Sequence, residues 1–197
     1  LSAQLIPVAG SNLITNGDFE SGNTAFSTQY TYVASTGTMA IWAEGTYAVG
    51  TSPLSYHMNF DPCTDHTSGS GNMMIVNGSG SLSQIWCQTI TVNPNTYYVF
   101  NAWATSVENA SPAILQFAIE GNLIGSPLNL STTTCDWENF YAIWFSGSET
   151  SVDICVTDQN TTLSGNDFAL DDISFIEACE VNEDITVTVV EFEAQIS

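Results

Sequence analysis

The 197-residue chain contains no lysine and no arginine, while its 21 acidic residues and two histidines leave a net charge of −21 at pH 7. An ordinary domain is about 25% charged, roughly half of it basic, so about twenty basic residues are missing while the acids hold an ordinary share. Phosphate recognition needs Lys or Arg, which excludes nucleic acid and anionic membrane surfaces as partners. Only His57 and His66 could offset the acids. Like-charge repulsion therefore strains the compact state, and metal cations are the obvious counter-charge. Two explanations for the missing bases stay open: compositional drift in a secreted protein, or a durable chain in which trypsin-like proteases find nothing to cut.

Other absences narrow the function. No stretch approaches eighteen consecutive apolar residues, and no basic segment precedes an apolar run. Neither a spanning helix nor a signal peptide is expected here, so direct membrane insertion is not; a secreted form would have lost its signal ahead of residue 1. Cys63, Cys87, Cys135, Cys155 and Cys179 form no CxxC, and with only two histidines to join them a zinc site is poorly supported. Cys135 and Cys155 fall on successive strand-like runs and are expected to form a cross-strand disulfide. The odd count leaves at least one cysteine unpaired within the chain, and disulfides imply an oxidising compartment. No HExxH, no serine-nucleophile motif and no phosphate-cradling glycine loop is present, so no catalytic residue is expected. Asp171 and Asp172 invite a glycosidase reading, but neighbours on a regular strand point to opposite faces and would not flank one bond.

What is present is strand and turn. Hydrophobic residues make up 44% of the chain, enough for a core. Strand-like runs occur at 12–15, 30–34, 38–43, 46–49, 55–60, 72–77, 84–92, 97–105, 113–120, 140–145, 151–157 and 168–175, punctuated by turns such as Asn16-Gly17-Asp18 and Asn93-Pro94-Asn95. Period-2 alternation, abundant Thr, Val, Tyr and Trp, and no sustained helical period predict an all-β fold. The expected architecture is a two-sheet antiparallel jelly-roll sandwich with extended N- and C-terminal strands. Its body would run from 12 to 178, between an apolar arm at 1–11 and an extension at 179–197. In the extension Ile185, Val187 and Val189 share one face; Val190, Phe192, Ala194 and Ile196 follow with the phase slipped by one, as a bulge would give.

Three motifs carry a family resemblance: NLITNGDFESG at 12–22, DHTSGSGNMMIVNG at 65–78 and NDFALDDISF at 166–175. In that order they resemble the galactose-binding-like, carbohydrate-binding-module-like jelly rolls of Bacteroidetes surface and adhesion proteins. The DHT and DDIS elements also resemble MAM domains. The resemblance implies a jelly roll, usually with a structural calcium, and does not fix a function. The residues agree with such a site: Glu20, Asp65 and Asp171 are the expected ligands, with Asp18 and loop carbonyls helping. The same acids could instead cap turns and face water. His66 is expected to hydrogen-bond within its loop, and Trp103 and Trp144, in strongly alternating runs, to lie in the core. Trp42 and Tyr47 flank a turn and, with Tyr56, are the candidates for an exposed sugar-stacking platform.

Three classes of function follow: a structural subunit, a sugar-binding module and an enzyme, the last disfavoured. The tails favour a non-catalytic extracellular structural or adhesive subunit that assembles head-to-tail into a filament by terminal-strand exchange, stabilised by calcium. The donor would be the strand bearing Ile185, Val187, Val189, Phe192 and Ile196, or else the arm bearing Leu5 and Ile6. The alternative is a carbohydrate-binding module of a secreted or cell-surface protein, with a polysaccharide or other glycan as partner.

Overall fold

The computed structural model describes residues 4–181. Apart from one helical turn at Pro53–Ser55, the regular structure is strand: β1 Gln4–Asn12, β2 Thr31–Tyr32, β3 Thr46–Gly50, β4 Met73–Asn77, β5 Ser83–Thr91, β6 Tyr97–Ser106, β7 Ile114–Ile119, β8 Asn122–Asn129, β9 Glu138–Phe145, β10 Ser151–Asp158 and β11 Phe168–Val181. They form two sheets. One has seven strands in the order β2-β3-β4-β11-β6-β9, with β1 also paired to β11; the other has the order β5-β10-β7-β8. The all-β jelly-roll expectation holds.

Alternation builds the core. In β6 Tyr98, Phe100, Ala102 and Ala104 are fully buried. Aromatic rings join the layers: Phe117 of β7 stacks on Phe100 and Phe140 of the larger sheet, at centroid distances of 3.9 and 4.3 Å. Such rings bury large apolar areas and prefer offset stacking. A smaller cluster, including Ile41, Tyr56, Phe60, Met73, Ile75 and Ala169, covers the other face of the larger sheet. The β4 run MMIV is therefore buried on both faces, which is why it is continuous rather than alternating.

Several expectations are corrected. The runs 38–43 and 55–60 are loops rather than strands, tied by one bridge between Met39 and His57, and their apolar residues cover β3 and β4. The sequence reading missed β8, whose polar, glycine- and proline-bearing residues are mostly exposed. The 12–15 run is not a strand; β1 ends at Asn12. Leu5 and Ile6 lie in β1, opposite Glu180 and Cys179 of the same chain's β11. The run carrying Ile185, Val187, Val189, Phe192 and Ile196 lies outside the described residues.

The expected Cys135–Cys155 bridge does not form. Cys87 pairs with Cys155, and Cys63 with Cys135. Residues 87 and 155 are direct cross-strand partners in β5 and β10, whereas β9, which follows Cys135, belongs to the opposite sheet. The successive strands β9 and β10 lie in different layers, so nearness in sequence is not nearness in space. Cys179 is free and exposed.

Candidate functional site

The three motifs converge beside β11. In the NGDFE turn, Asn16 and Phe19 adopt positive φ (58° and 55°). The Asn16 side chain stabilises this turn by donating to the carbonyls of Gly22 and Thr24 and accepting from the Ser21 N–H. The Gly17 carbonyl accepts from the Ile173 N–H at 3.0 Å, and a Cβ at Gly17 would collide with the Ile173 carbonyl. Only glycine lets the turn lie this close to the strand.

That contact delivers Glu20 to the 65–72 loop, where three carboxylates accept from backbone N–H groups and a fourth, Asp172, from side chains. Asp65 accepts from the N–H groups of Ser68 and Gly71 at 2.7 and 2.6 Å, and Glu20 accepts from Asn72 N–H at 2.7 Å. Asp171 accepts from His66 and Thr67 N–H at 2.9 and 3.2 Å. Asp172 meets His66 Nδ1 at 2.6 Å and accepts from the Thr67 hydroxyl at 2.7 Å. His66 thus bonds across to β11 rather than within its own loop, and its ring stacks on Trp103 at 4.0 Å. Trp103, expected in the core, is half-buried on the outer face, because Ala102 and Ala104 take the inward positions. Trp144 is also half-buried, packed against the core.

Asp171 and Asp172 do not diverge as a regular strand requires. A register shift falls between Asp171 and Ser174, and Asp172 has φ 48°, so both carboxylates reach the same loop. Asp171 is fully buried, and burial pushes its pKa up to about 7, with the Asp172 charge adding to the effect and N–H donors opposing it. Burial also works to raise Asp65, but the N–H groups of Ser68 and Gly71 win and hold it below the usual range. Among the described residues no three His, Cys, Asp or Glu side chains gather as a metal cluster. Glu20, Asp65 and Asp171 meet on the loop rather than on one another, and Asp18 accepts from the Glu20 N–H of its own turn, at 3.3 Å.

A second feature lies among the loops, where a cleft of about 330 Å³ is lined by Trp42, Glu44, His57, Asn59, Glu108 and Asp167. Of the three expected platform aromatics only Trp42 is open, at 49% exposure; Tyr47 and Tyr56 are 3% and 7% exposed. Tyr47 sits in β3, covered on both faces, and donates to Asn23; Tyr56 belongs to the outer cluster and donates to the Val49 carbonyl. The Trp42 indole is backed by His57 at 4.9 Å, and His57 packs on Phe60 at 4.3 Å. Burial lowers the pKa of His57, so its ring is neutral at pH 7.

Sequence reasoning missed the acids of this cleft, which come from three separate loops with no common spacing. Asp167 is nine-tenths buried; its Oδ1 accepts from Gly78 N–H at 2.9 Å, and no hydrogen bond among the described residues reaches Oδ2. Behind it, buried Asp158 accepts from Ile114 and Asn160 N–H and from the Asn166 amide. The DF pair of NDFALDD was the one available signal, since it places Asp167 beside core Phe168.

No family model matches the sequence, and no curated protein matches it. Solved structures do match in fold. The xylan-binding CBM22-1 domain of Paenibacillus barcinonensis Xyn10C superposes with TM-score 0.54 at 11% identity, over 81% of this chain and 90% of that one. TmCBM61 in complex with β-1,4-galactotriose gives 0.52 at 15%, over 83% and 97%. The Stig cyclase Fisc from Fischerella sp. TAU gives 0.59 at 13%, over 92% and 100%. The chain has the jelly-roll fold of carbohydrate-binding modules, a fold that enzymes also use. Its two disulfides suit an oxidising compartment, and among the described residues no helix is long and apolar enough to cross a membrane.

The buried acids set a pH dependence. Burial, reinforced by Glu44, Glu108 and Asp158, pushes Asp167 up to about 7, and burial pushes Asp158 up to about 6 against its hydrogen bonds. Both folded-state values lie above the ordinary carboxylate value. The native protein therefore holds protons that the unfolded chain releases, and stability falls as pH rises from about 4 to about 7. Asp171, raised likewise to about 7, adds to this trend and His57, lowered by burial, opposes it. The melting temperature should be higher at about pH 5 than at about pH 8, and Asp158→Asn/Asp167→Asn should reduce the difference. A melting temperature that drops on acidification across this window would contradict the assignment.

Proposed function

We propose that the chain is a non-catalytic, extracellular glycan-binding module whose sugar site is the Trp42 cleft. The observation that carries this is the exposed indole beside a cavity of about 330 Å³ lined by carboxylates and an asparagine amide. Apolar sugar faces stack on such rings, and a few polar groups fix their orientation. The cleft's volume lies at the lower end of ligand pockets and suits a short stretch of glycan. A non-catalytic reading is favoured because both histidines are engaged, one between aromatic rings and the other with Asp172. Four of the five cysteines are in disulfides. The resemblance of the three motifs to surface modules and the carbohydrate-binding neighbours point the same way. Trp42→Ala should weaken oligosaccharide binding about tenfold or more in calorimetry while leaving the melting temperature within a few degrees. Unchanged affinity would remove the cleft as the site.

A structural calcium belongs to the same proposal, held by Glu20, Asp65 and Asp171 with Asp18 and loop carbonyls. Its support is a fully buried Asp171 with no Lys or Arg in the chain, and the crowding at Gly71, where a Cβ would collide with Glu20 Oε1 and press on Asp65 Oδ2. The ion would lock the loop between the NGDFE turn and β11, exchanging some N–H contacts for oxygen ligands. Excess chelator should lower the melting temperature and added calcium restore it. A melting curve indifferent to both sinks the calcium site.

A second reading, self-assembly, is favoured by the open side of the sandwich. β8 and β9 each end a sheet there, around a groove of about 430 Å³ lined in part by Pro127, Leu128, Tyr141 and Ile143. Tyr141, Ile143 and Phe145 are 63%, 48% and 46% exposed. The alternating run at 185–197 could pair with such an edge in a second copy. The full chain should then form head-to-tail oligomers in size-exclusion chromatography and electron microscopy, and deletion of 183–197 should leave monomers. Full-length protein that stays monomeric at high concentration ends this reading.

A further inference from the structure

The Trp42 cleft is acidic on every charged side and has no cation of its own. Glu44, Glu108 and Asp167 line it, Asp167 nine-tenths buried with its Oδ1 bonded to Gly78 N–H, and no hydrogen bond among the described residues reaches Asp167 Oδ2. Burial raises Glu44 above its ordinary range, as expected for a carboxylate without a compensating charge. The ring that could have supplied a charge, His57, is held neutral by burial and is stacked behind Trp42. Ion pairing inside the chain cannot relieve the site, because the sequence has no Lys or Arg. The cavity is far larger than a bare ion, and among the described residues no group of side chains is arranged to hold a metal.

Resting on the glycan reading of this cleft, we infer that its ligand is a cationic glycan: a hexosamine chain with free, protonated amino groups. Such a sugar combines the two properties the cleft addresses. Its ring has an apolar face to lie on the Trp42 indole, and its ammonium donates to Asp167 Oδ2 and the carboxylates of Glu44 and Glu108. The indole adds cation–π attraction where the ammonium passes over its face. Uronic acids and sulfated sugars are repelled by the same carboxylates and by the net charge of the chain. N-acetylation removes the positive charge and adds bulk, so an acetylated chain loses the ionic contacts and keeps only the stacking.

The test is calorimetric titration of the full chain at low salt with four probes: a glucosamine oligomer, its N-acetylated counterpart, a neutral galactan or xylan oligomer, and polylysine. The glucosamine oligomer should bind about tenfold or more tightly than the acetylated and neutral sugars, with a preference that shrinks in about 1 M salt. Trp42→Ala should abolish that binding, and Glu44→Gln/Glu108→Gln should erase the preference for the free amine. Acetylated or neutral sugars binding equally well in a Trp42-dependent way would overturn the cationic assignment and leave the glycan reading standing. No Trp42-dependent binding of any sugar would end both. Polylysine binding as tightly as the glucosamine oligomer would overturn the sugar assignment in favour of a general ammonium site. If the double variant does not fold, the order of the four probes on the unaltered chain still decides.

Discussion

Negative charge without an internal cation is the constraint on which this structure depends. Carboxylates that come near the interior of a protein need a compensating partner. With no Lys or Arg in the chain, the partner here is backbone N–H. Asp65 takes Ser68 and Gly71, Asp171 takes His66 and Thr67, Glu20 takes Asn72, Asp158 takes Ile114 and Asn160, and Asp167 takes Gly78. The one histidine among the described residues that meets a carboxylate is His66, whose Nδ1 lies 2.6 Å from Asp172. The acids therefore act as loop organisers: each satisfies amides that no sheet can pair.

Strand β11 is the element through which these contacts communicate. Its start lies between β4 and β6, its end between β1 and β6, and its bulge turns Asp171 and Asp172 toward one loop. Just before it, Asp167 forms one wall of the Trp42 cleft and holds Gly78 at the end of the loop-covered strand β4. The acidic loop and the cleft thus share one support. A site built from loops but anchored on a central strand keeps its geometry without needing the loops to be stiff themselves.

The same charge pattern that strains the fold gives the cleft its chemistry. Asp167 gains one N–H bond among the described residues, from Gly78, where full solvation would offer several. An interior carboxylate left in that state weakens the fold and strengthens the binding of anything that brings an ammonium. On the proposed reading of the cleft, stability and recognition are opposed, as is common where binding sites retain polar groups that the core would otherwise exclude.

Local alternation made the fold class readable. Inward Phe, Ala and Tyr at every second position of β6, and the continuous run of β4, are properties of a few adjacent residues, and period-2 geometry alone places them in a sandwich. The acid-bearing motifs were readable for a similar reason, since tight turns and short carboxylate runs are local, and Glu20, Asp65 and Asp171 do reach one loop. What tertiary structure decided was everything that depends on which layer lies opposite which. Cys155 met Cys87 rather than Cys135 because β10 pairs with β5, while β9, which follows Cys135, lies in the other sheet. Tyr47 was buried because its place in β3 faces the core between the sheets, and Tyr56 because the loops at 38–43 and 55–60 fold over the outer face of β3 and β4, so of the three only Trp42 is open. Glu44, Glu108 and Asp167 became one site because three loops far apart in the chain close on the same cavity, a coincidence of topology that no spacing in the sequence encodes.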